Sequence, residues 1–466
     1  MSSLTAKNKV GSDLTEGNIF ITLIKFSIPL LLANVIQQAY NTVDLIVIGR
    51  FAGAVGTVGT STGGEIANFL SMLGIGFAAA GQVYVAQLAG AKDEERTKQA
   101  IGTLMTIMLA SSVVLGVVCT CFTGWFLNLL KTPAEAMGEA RNYMIVTCLG
   151  IPFVYGYNAV TSVLRGMGES KRPLLFVTIA AISNIILDVI FVAWFKMASL
   201  GTALATVIAQ AFSFIASAVY MYRHREQMGF DFKLSSFKLH KEPLKIILRL
   251  GIPKALQSGL INISMLYCIR QINAFGLAES ATNSIGNKIL RLSNLITVSV
   301  DTGAAAMIGQ NLGARKYDRA KKIVYRALVV ALIVAATNIA VGLTMPRTIF
   351  KFFINKDIQP EVVEKVLDYS VDFMRINCWA FFLSAFMGPY GAMITGDGNA
   401  NLSFLIGIID GVVLRIGISV VLAQVFHMGV YGYFYGNALA RIAPVVIDMA
   451  YFYSNHWRRR KLLTEQ

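Results

Sequence analysis

Gln37, Tyr40, Asn41 and Asp44 recur at i, i+3, i+4 and i+7 within "ANVIQQAYNTVDLIVIGR" (residues 33–50), one of the most apolar regions of the chain. That spacing sets four polar side chains on one face of a helix. Asn184 and Asp188 stand one turn apart in "NIILDVIF" and share a face, and Thr206 lies in the next apolar segment. Carboxylates, an amide carbonyl and a hydroxyl are the oxygen ligands that a hard cation takes, so Asp44, Asn184, Asp188 and Thr206 could hold Na+. Two carboxylates in one dry pocket repel each other, so a proton taken up near neutral pH is the alternative. On the residues alone, simple pairing of Asp44 with Arg50 and of Asp188 with Lys196 is also open.

These side chains need helices that bring them to one depth. The chain has 466 residues, 55% hydrophobic and only 14% charged, with mean hydropathy +0.60. A soluble globular protein carries roughly 25% charged residues, so this composition describes an integral membrane protein. The apolar stretches run to about 20–27 residues, enough for a helix to cross ~30 Å of hydrocarbon, and no alternating pattern of a membrane barrel occurs. The polar leader "MSSLTAKNKVGSDLTEGN" lacks a small-residue cleavage site, so the first stretch reads as a retained span. Cys119, Cys121, Cys148, Cys268 and Cys378 lie in apolar segments without zinc or disulfide spacing and read as core residues.

Twelve spans follow, at about 22–48, 58–86, 100–124, 138–163, 173–195, 199–222, 246–273, 282–309, 323–345, 366–393, 402–424 and 430–455. An even count puts both termini on one side. That side holds about 25 Lys and Arg against about 8 on the other, which makes it cytoplasmic and places the protein in the plasma (cell inner) membrane. The net charge of +15 therefore suits anionic lipids of the cytoplasmic leaflet and calls for no nucleic acid.

The halves repeat. "VAQLAGAKDEERTKQAI" (85–101) aligns with "IGQNLGARKYDRAKKIV" (308–324), matching Gln87 with Gln310, Gly90 with Gly313 and Arg96 with Arg319. "KFSIPLLL" (25–32) aligns with "RLGIPKAL" (249–256), and "RGMGES" (165–170) with "TGDGNA" (395–400). The expected fold is an all-α membrane protein of two six-helix bundles related by a pseudo-two-fold axis along the membrane normal. Its parts are an N-lobe (1–222), a cytoplasmic linker (223–245), a C-lobe (246–455) and a cytoplasmic tail (456–466). At 1.5 Å per residue, Asp44 is ~27 Å from Phe26, Asp188 ~23 Å from Pro173, and Thr206 ~10 Å from the outer end of its span, compatible heights in the outer half. The repeat pairs Asp44 with Cys268, and Asp188 with Ile418 or Ser419, so only the N-lobe has the acids.

Two architectures join six spans to six. The loop "AQLAGAKDEERTKQA" lacks the pattern usual after span 2 of major facilitators, and the chain instead resembles the multidrug and toxic compound extrusion (MATE) family. The resemblance rests on "VAQ..GA" after span 2, "GQN.GA" after span 8, "RGMGESKRP" before span 5 and "NIILDVIF" within it, in order over the whole chain. It implies lobes that face each other and export a small organic substrate against H+ or Na+ entry by alternating access. It also implies that Asp44, Asn184, Asp188 and Thr206 form the cation-coupling cluster; by their spacing, Gln37, Tyr40 and Asn41 are its supporting polar face.

The C-lobe spans hold Lys254, Arg270, Lys288, Arg291, Arg375, Arg415 and Arg441, with Asp301, Asp372, Asp410 and Asp448 among them. Charges at such depth face protein or water, and pairs such as Asp372 with Arg375 account for some. Lys288 and Arg291 stand one turn apart, and the repeat maps Glu65 onto Lys288. Glu65, Gln257, Lys288 and Arg291 are therefore candidates for the cleft, an outer gate or substrate contact. This basic lining allows a zwitterionic or anionic substrate. It keeps open a second reading, a flippase or exporter of a lipid-linked or anionic precursor on the same superfamily fold. Nothing resembles a phosphate-cradling loop, a nucleophile with its base, or a histidine metal site. The expectation is a monomeric transporter, not an enzyme, with no cofactor beyond its coupling ion.

Overall fold

The structure is a computed structural model that describes residues 11–354 and 359–466. Helix α1 (Ile19–Phe51) starts where Asn18 Oδ1 accepts the N–H groups of Phe20 and Ile21 at 3.0 and 3.2 Å, which satisfies two donors at the helix start. After α2 (Gly53–Ala91), Lys92 turns the chain with φ +59° and Asp93 caps α3 (Glu94–Cys121) by accepting from the Arg96 N–H at 3.0 Å. The N-lobe is completed by α4 (Met137–Gly166), α5 (Lys171–Asp188) and α6 (Ala198–Arg223). In the C-lobe, α7 (Lys241–Asn273) is followed by α8, split at Asn294 into Leu277–Ser293 and Leu295–Gly313, then α9 (Tyr317–Thr344) and α10 (Pro360–Asp397). Helix α11 begins as Ala400–Ile408 and reaches Val425, and α12 comprises Val430–Leu439 and Ile442–Tyr453.

These are the twelve spans of two six-helix lobes. Their ends run past the hydropathy windows: α1 is 33 residues and α2 is 39, because each helix continues through the polar zone where the apolar pattern has stopped. Among the described residues, nine helices are long and apolar enough to cross a membrane by length and composition alone. The other three are α7, which carries Lys254 and Arg270, and α8 and α12, each broken in mid-course. Both lobes widen into a π-helix in equivalent spans, at Val189–Trp194 directly after Asp188 and at Ile409–Ile416 and Val421–Val425 in α11. Such turns displace the backbone hydrogen-bond ladder and cluster at functional positions.

The lobes meet through the halves of α1, α2, α7 and α8 nearest the chain termini. Leu23, Phe26 and Leu30 of α1 pack with Val300 and Ala304 of α8, and Asn34 Nδ2 donates to Ser299 Oγ at 3.0 Å. A Cβ on Gly90 would lie 1.9 Å from the Gln310 carbonyl oxygen, and a Cβ on Gly313 would lie 1.9 Å from that of Gln87. Only glycine permits this reciprocal approach of α2 and α8. Among the described residues, the hydrogen bonds between the lobes all lie on this termini face; Asn262 with Met72 and Asn34 with Ser299 are the farthest from it. Toward the opposite face the α2 glycines turn to their own lobe, Gly59 and Gly63 packing on Glu139 and Ala140 of α4.

Candidate functional site

The sequence-derived acids come together. Asp188 is fully buried and Asn184 is 2% exposed, while Asp44 is half-buried. The Asp44 and Asp188 carboxyl groups interact directly, side chain to side chain. Asn184 Nδ2 donates to Thr206 Oγ1 at 3.5 Å, which brings α6 to the cluster. No protein donor reaches either Asp188 oxygen, Asp44 Oδ1 or Asn184 Oδ1, although all four are buried. Buried oxygens without donors are rare in folded proteins. Here four of them converge with no cationic side chain: Asp44 does not pair with Arg50, nor Asp188 with Lys196. Such an oxygen set can coordinate a small cation or share a proton.

Of the supporting face, Tyr40 lies within hydrogen-bonding reach of Gln37 and of Gln210, while Gln37 and Asn41 are exposed. Two members escaped the sequence reading. Gln210 stands one turn from Thr206 on α6, a spacing that could have found it. Tyr143 of α4, close to Asp44, Asp188 and Tyr40, is a lone aromatic in an apolar run and carries no sequence signal.

The cleft candidates are not assembled. Glu65, Lys288 and Arg291 are exposed, and no ion pair joins Glu65 to Lys288 in this conformation. The first half of α8 packs on α10 and α7. Gln257 accepts from Lys254 Nζ at 3.0 Å and packs against Gly407 of α11. Asp372 and Arg375 do pair, at 3.7 Å. Arg415 binds both oxygens of Asp410 at 3.1 Å with both side chains nearly fully buried, and also donates to Asn437 at 2.5 Å. Cys268 Sγ lies 3.9 Å from Ser419 Oγ, and Ser419 is one of the two positions that the repeat offers as counterpart of Asp188.

The family model MatE matches residues 29–190 and 253–421. The probable multidrug resistance protein YoeA of Bacillus subtilis (strain 168) is 25% identical over 453 residues, 96% of each chain. The multidrug export protein MepA of Staphylococcus haemolyticus (strain JCSC1435) is 22% identical over 94% of each chain. Among solved structures, an outward-facing multidrug resistance MATE family transporter of the MOP superfamily superposes with TM-score 0.90 at 19% identity, covering 97% of this chain and all of that one. A MOP superfamily transporter from Pyrococcus furiosus, described by the reverse polarity of its binding pocket, gives TM-score 0.88 at 20% identity, covering 98% of this chain and all of that one. The model match spans most of both halves, and the chain belongs to the multidrug and toxic compound extrusion family of membrane transporters.

Proposed function

We propose that the protein is a secondary active exporter that couples outward movement of a small organic substrate to inward H+ or Na+ at Asp44 and Asp188. The observation that carries this reading is the set of buried Asp44, Asp188 and Asn184 oxygens that no protein donor reaches. The contacts between the lobes gather toward the termini, which supports a cleft that opens on the opposite face. With the termini cytoplasmic, substrate leaves and the cation enters from that outer side. Cation binding between α1 and α5 removes the repulsion between the acids and draws the helices together. Asn184 and Thr206 complete the ligand set if the cation is Na+. The protein works as a monomer in the plasma membrane, with the basic termini face on anionic lipid.

The substrate reading extends to zwitterions and anions. Arg441 stands at the break of α12 beside Arg415 and Asp410, with a buried Nη1 that lacks an acceptor. That donor favours a substrate carrying a carboxylate or phosphate, as a lipid-linked precursor would.

The test is efflux from proteoliposomes under separate proton and sodium gradients, with Asp188→Asn alongside. Efflux should follow one gradient and disappear in the variant. Transport indifferent to both gradients, or undiminished in Asp188→Asn, would overturn the reading.

A further inference from the structure

The chain carries the tripeptide Leu-Thr-Glu twice, near its two ends: Leu14-Thr15-Glu16 and Leu463-Thr464-Glu465. Both leucines are 1% exposed, although each belongs to a short polar segment outside the spans. The Leu14 N–H donates to Gln310 Oε1 at 3.1 Å, and the Leu463 N–H donates to Gln87 Oε1 at 2.9 Å. Gln87 and Gln310 are equivalents in the internal repeat. Each uses its amide nitrogen to tie the lobes together, Gln87 to the Gly396 carbonyl and Gln310 to the Gly166 carbonyl, both at 2.8 Å. Gly166 and Gly396 are repeat equivalents as well.

The correspondence extends to a glycine and an arginine at each site. Gly168 and Gly398, equivalent and both left-handed (φ +86° and +73°), present backbone to the docked segments. A Cβ on the first would meet the Ser12 carbonyl oxygen at 2.2 Å, and on the second Leu463 Cδ1 at 2.8 Å. Arg319 donates to the Glu16 and Gly17 carbonyl oxygens at 2.6 and 2.8 Å, and its equivalent Arg96 to that of Thr464 at 2.5 Å. Charges reinforce both ends: Asp13 lies near Lys92 and Lys316, and Glu465 pairs with Arg315 at 2.9 Å. The leader is continuous with α1 of one lobe yet docks on Gln310 and Arg319 of the other. The tail follows α12 yet docks on Gln87 and Arg96 of the opposite lobe.

We propose that the termini face carries two equivalent peptide-binding sites, each built from a glutamine, a left-handed glycine and an arginine. Each takes one of the chain's own Leu-Thr-Glu segments, Gly11–Gly17 or Arg460–Gln466. The two segments act as plugs that hold the cleft shut on that face and must undock for the lobes to part there. This rests on the alternating-access reading for its role in transport, but docking itself is read without substrate or gradient.

Spin labels at Lys171→Cys and Asn401→Cys, exposed equivalents on the two lobes, report the separation on this face once the accessible Cys121 and Cys378 are removed. Leu14→Asp and Leu463→Asp each place a carboxylate in a closed apolar socket and should expel their plug. Arg319→Gln and Arg96→Gln weaken docking from the surface without altering the buried packing. In nanodiscs, each arginine variant should raise the ratio of open to closed termini face by about tenfold, the scale of losing one or two hydrogen bonds; each leucine variant, which also gives up a buried leucine, should raise it further, as should paired variants. Distance distributions identical to the parent in both the leucine and the arginine variants would overturn the plugs. Absence of ion-coupled efflux in the parent protein, with these shifts intact, would overturn the antiport reading alone.

Discussion

Cys268 and Ser419 touch in the C-lobe, Cys268 at the repeat position of Asp44 and Ser419 at one of the two that the repeat offers for Asp188. The duplicated fold thus builds the same helix-to-helix contact twice and puts carboxylates in only one copy. A contact that the fold can make with a thiol and a hydroxyl does not need two acids for packing. That asymmetry supports the cation-coupling role proposed for Asp44 and Asp188.

Asp44→Asn and Asp188→Asn should each reduce ion-driven efflux at least about tenfold, as expected when charge coupling is lost. Cys268→Ser should leave efflux near the parent's. Thermal unfolding in detergent checks that all three fold; equal efflux in the aspartate and cysteine variants would contradict the assignment.

Glu65 and Lys288 are both exposed and unpaired with each other, and closing the outer face would bring α2 toward α8. Glu65→Cys with Lys288→Cys should cross-link only when that face is shut. Glu65→Gln and Lys288→Met that each transport normally would end the gate proposal.

Gly90→Ala and Gly313→Ala introduce a Cβ where the opposite lobe's carbonyl oxygen stands 1.9 Å away. Overpacking of this kind costs about 1–3 kcal/mol, here against the conformation closed at the termini face alone. The variants should fold, shift toward the alternative conformation and lose efflux. Inter-lobe distance measurements are the check.

Arg415→Met would leave Asp410 buried without its partner, at a cost of about 3–5 kcal/mol. Replacing Asp410 and Arg415 together by apolar residues of similar volume should recover most of that loss. Unfolding temperatures of the single and double variants measure it.

The 223–245 linker should stay docked on α3 throughout the neutral range. The Ser236 hydroxyl and Lys98 ammonium hold the Asp231 carboxyl below its ordinary value. A lowered carboxyl contributes docking that is complete above its undocked value of ~3.9 and is lost as pH falls through the lower docked value. Limited proteolysis of the linker should be flat from about pH 6 to 8 and rise only in strong acid.

Much of this was legible because membrane insertion leaves few options. Apolar length sets the spans, and an acid at depth stands out wherever it occurs. Asp44, Asn184, Asp188 and Thr206 could be brought together by counting residues along straight helices. Tyr143 could not, since nothing in "RNYMIVTCLG" says which neighbour its ring meets. Gln257 reads as facing the cleft, yet its side chain accepts from Lys254 and packs against Gly407 of its own lobe. Rotation of a helix about its axis is set by its neighbours, which one sequence does not show. The two Leu-Thr-Glu segments were invisible for a different reason: three residues amid polar chain have no periodicity, and their meaning lies in the sockets.

The reciprocal fit of Gly90 on Gln310 and Gly313 on Gln87 has an ancestral implication. Each half presents both the knob and the notch, so one six-helix unit could have joined a second copy of itself through the same surface. A dimer of identical half-length chains would close in just this way. Fusing the two into one polypeptide then freed one copy to keep its acids and the other to lose them, without disturbing the seam.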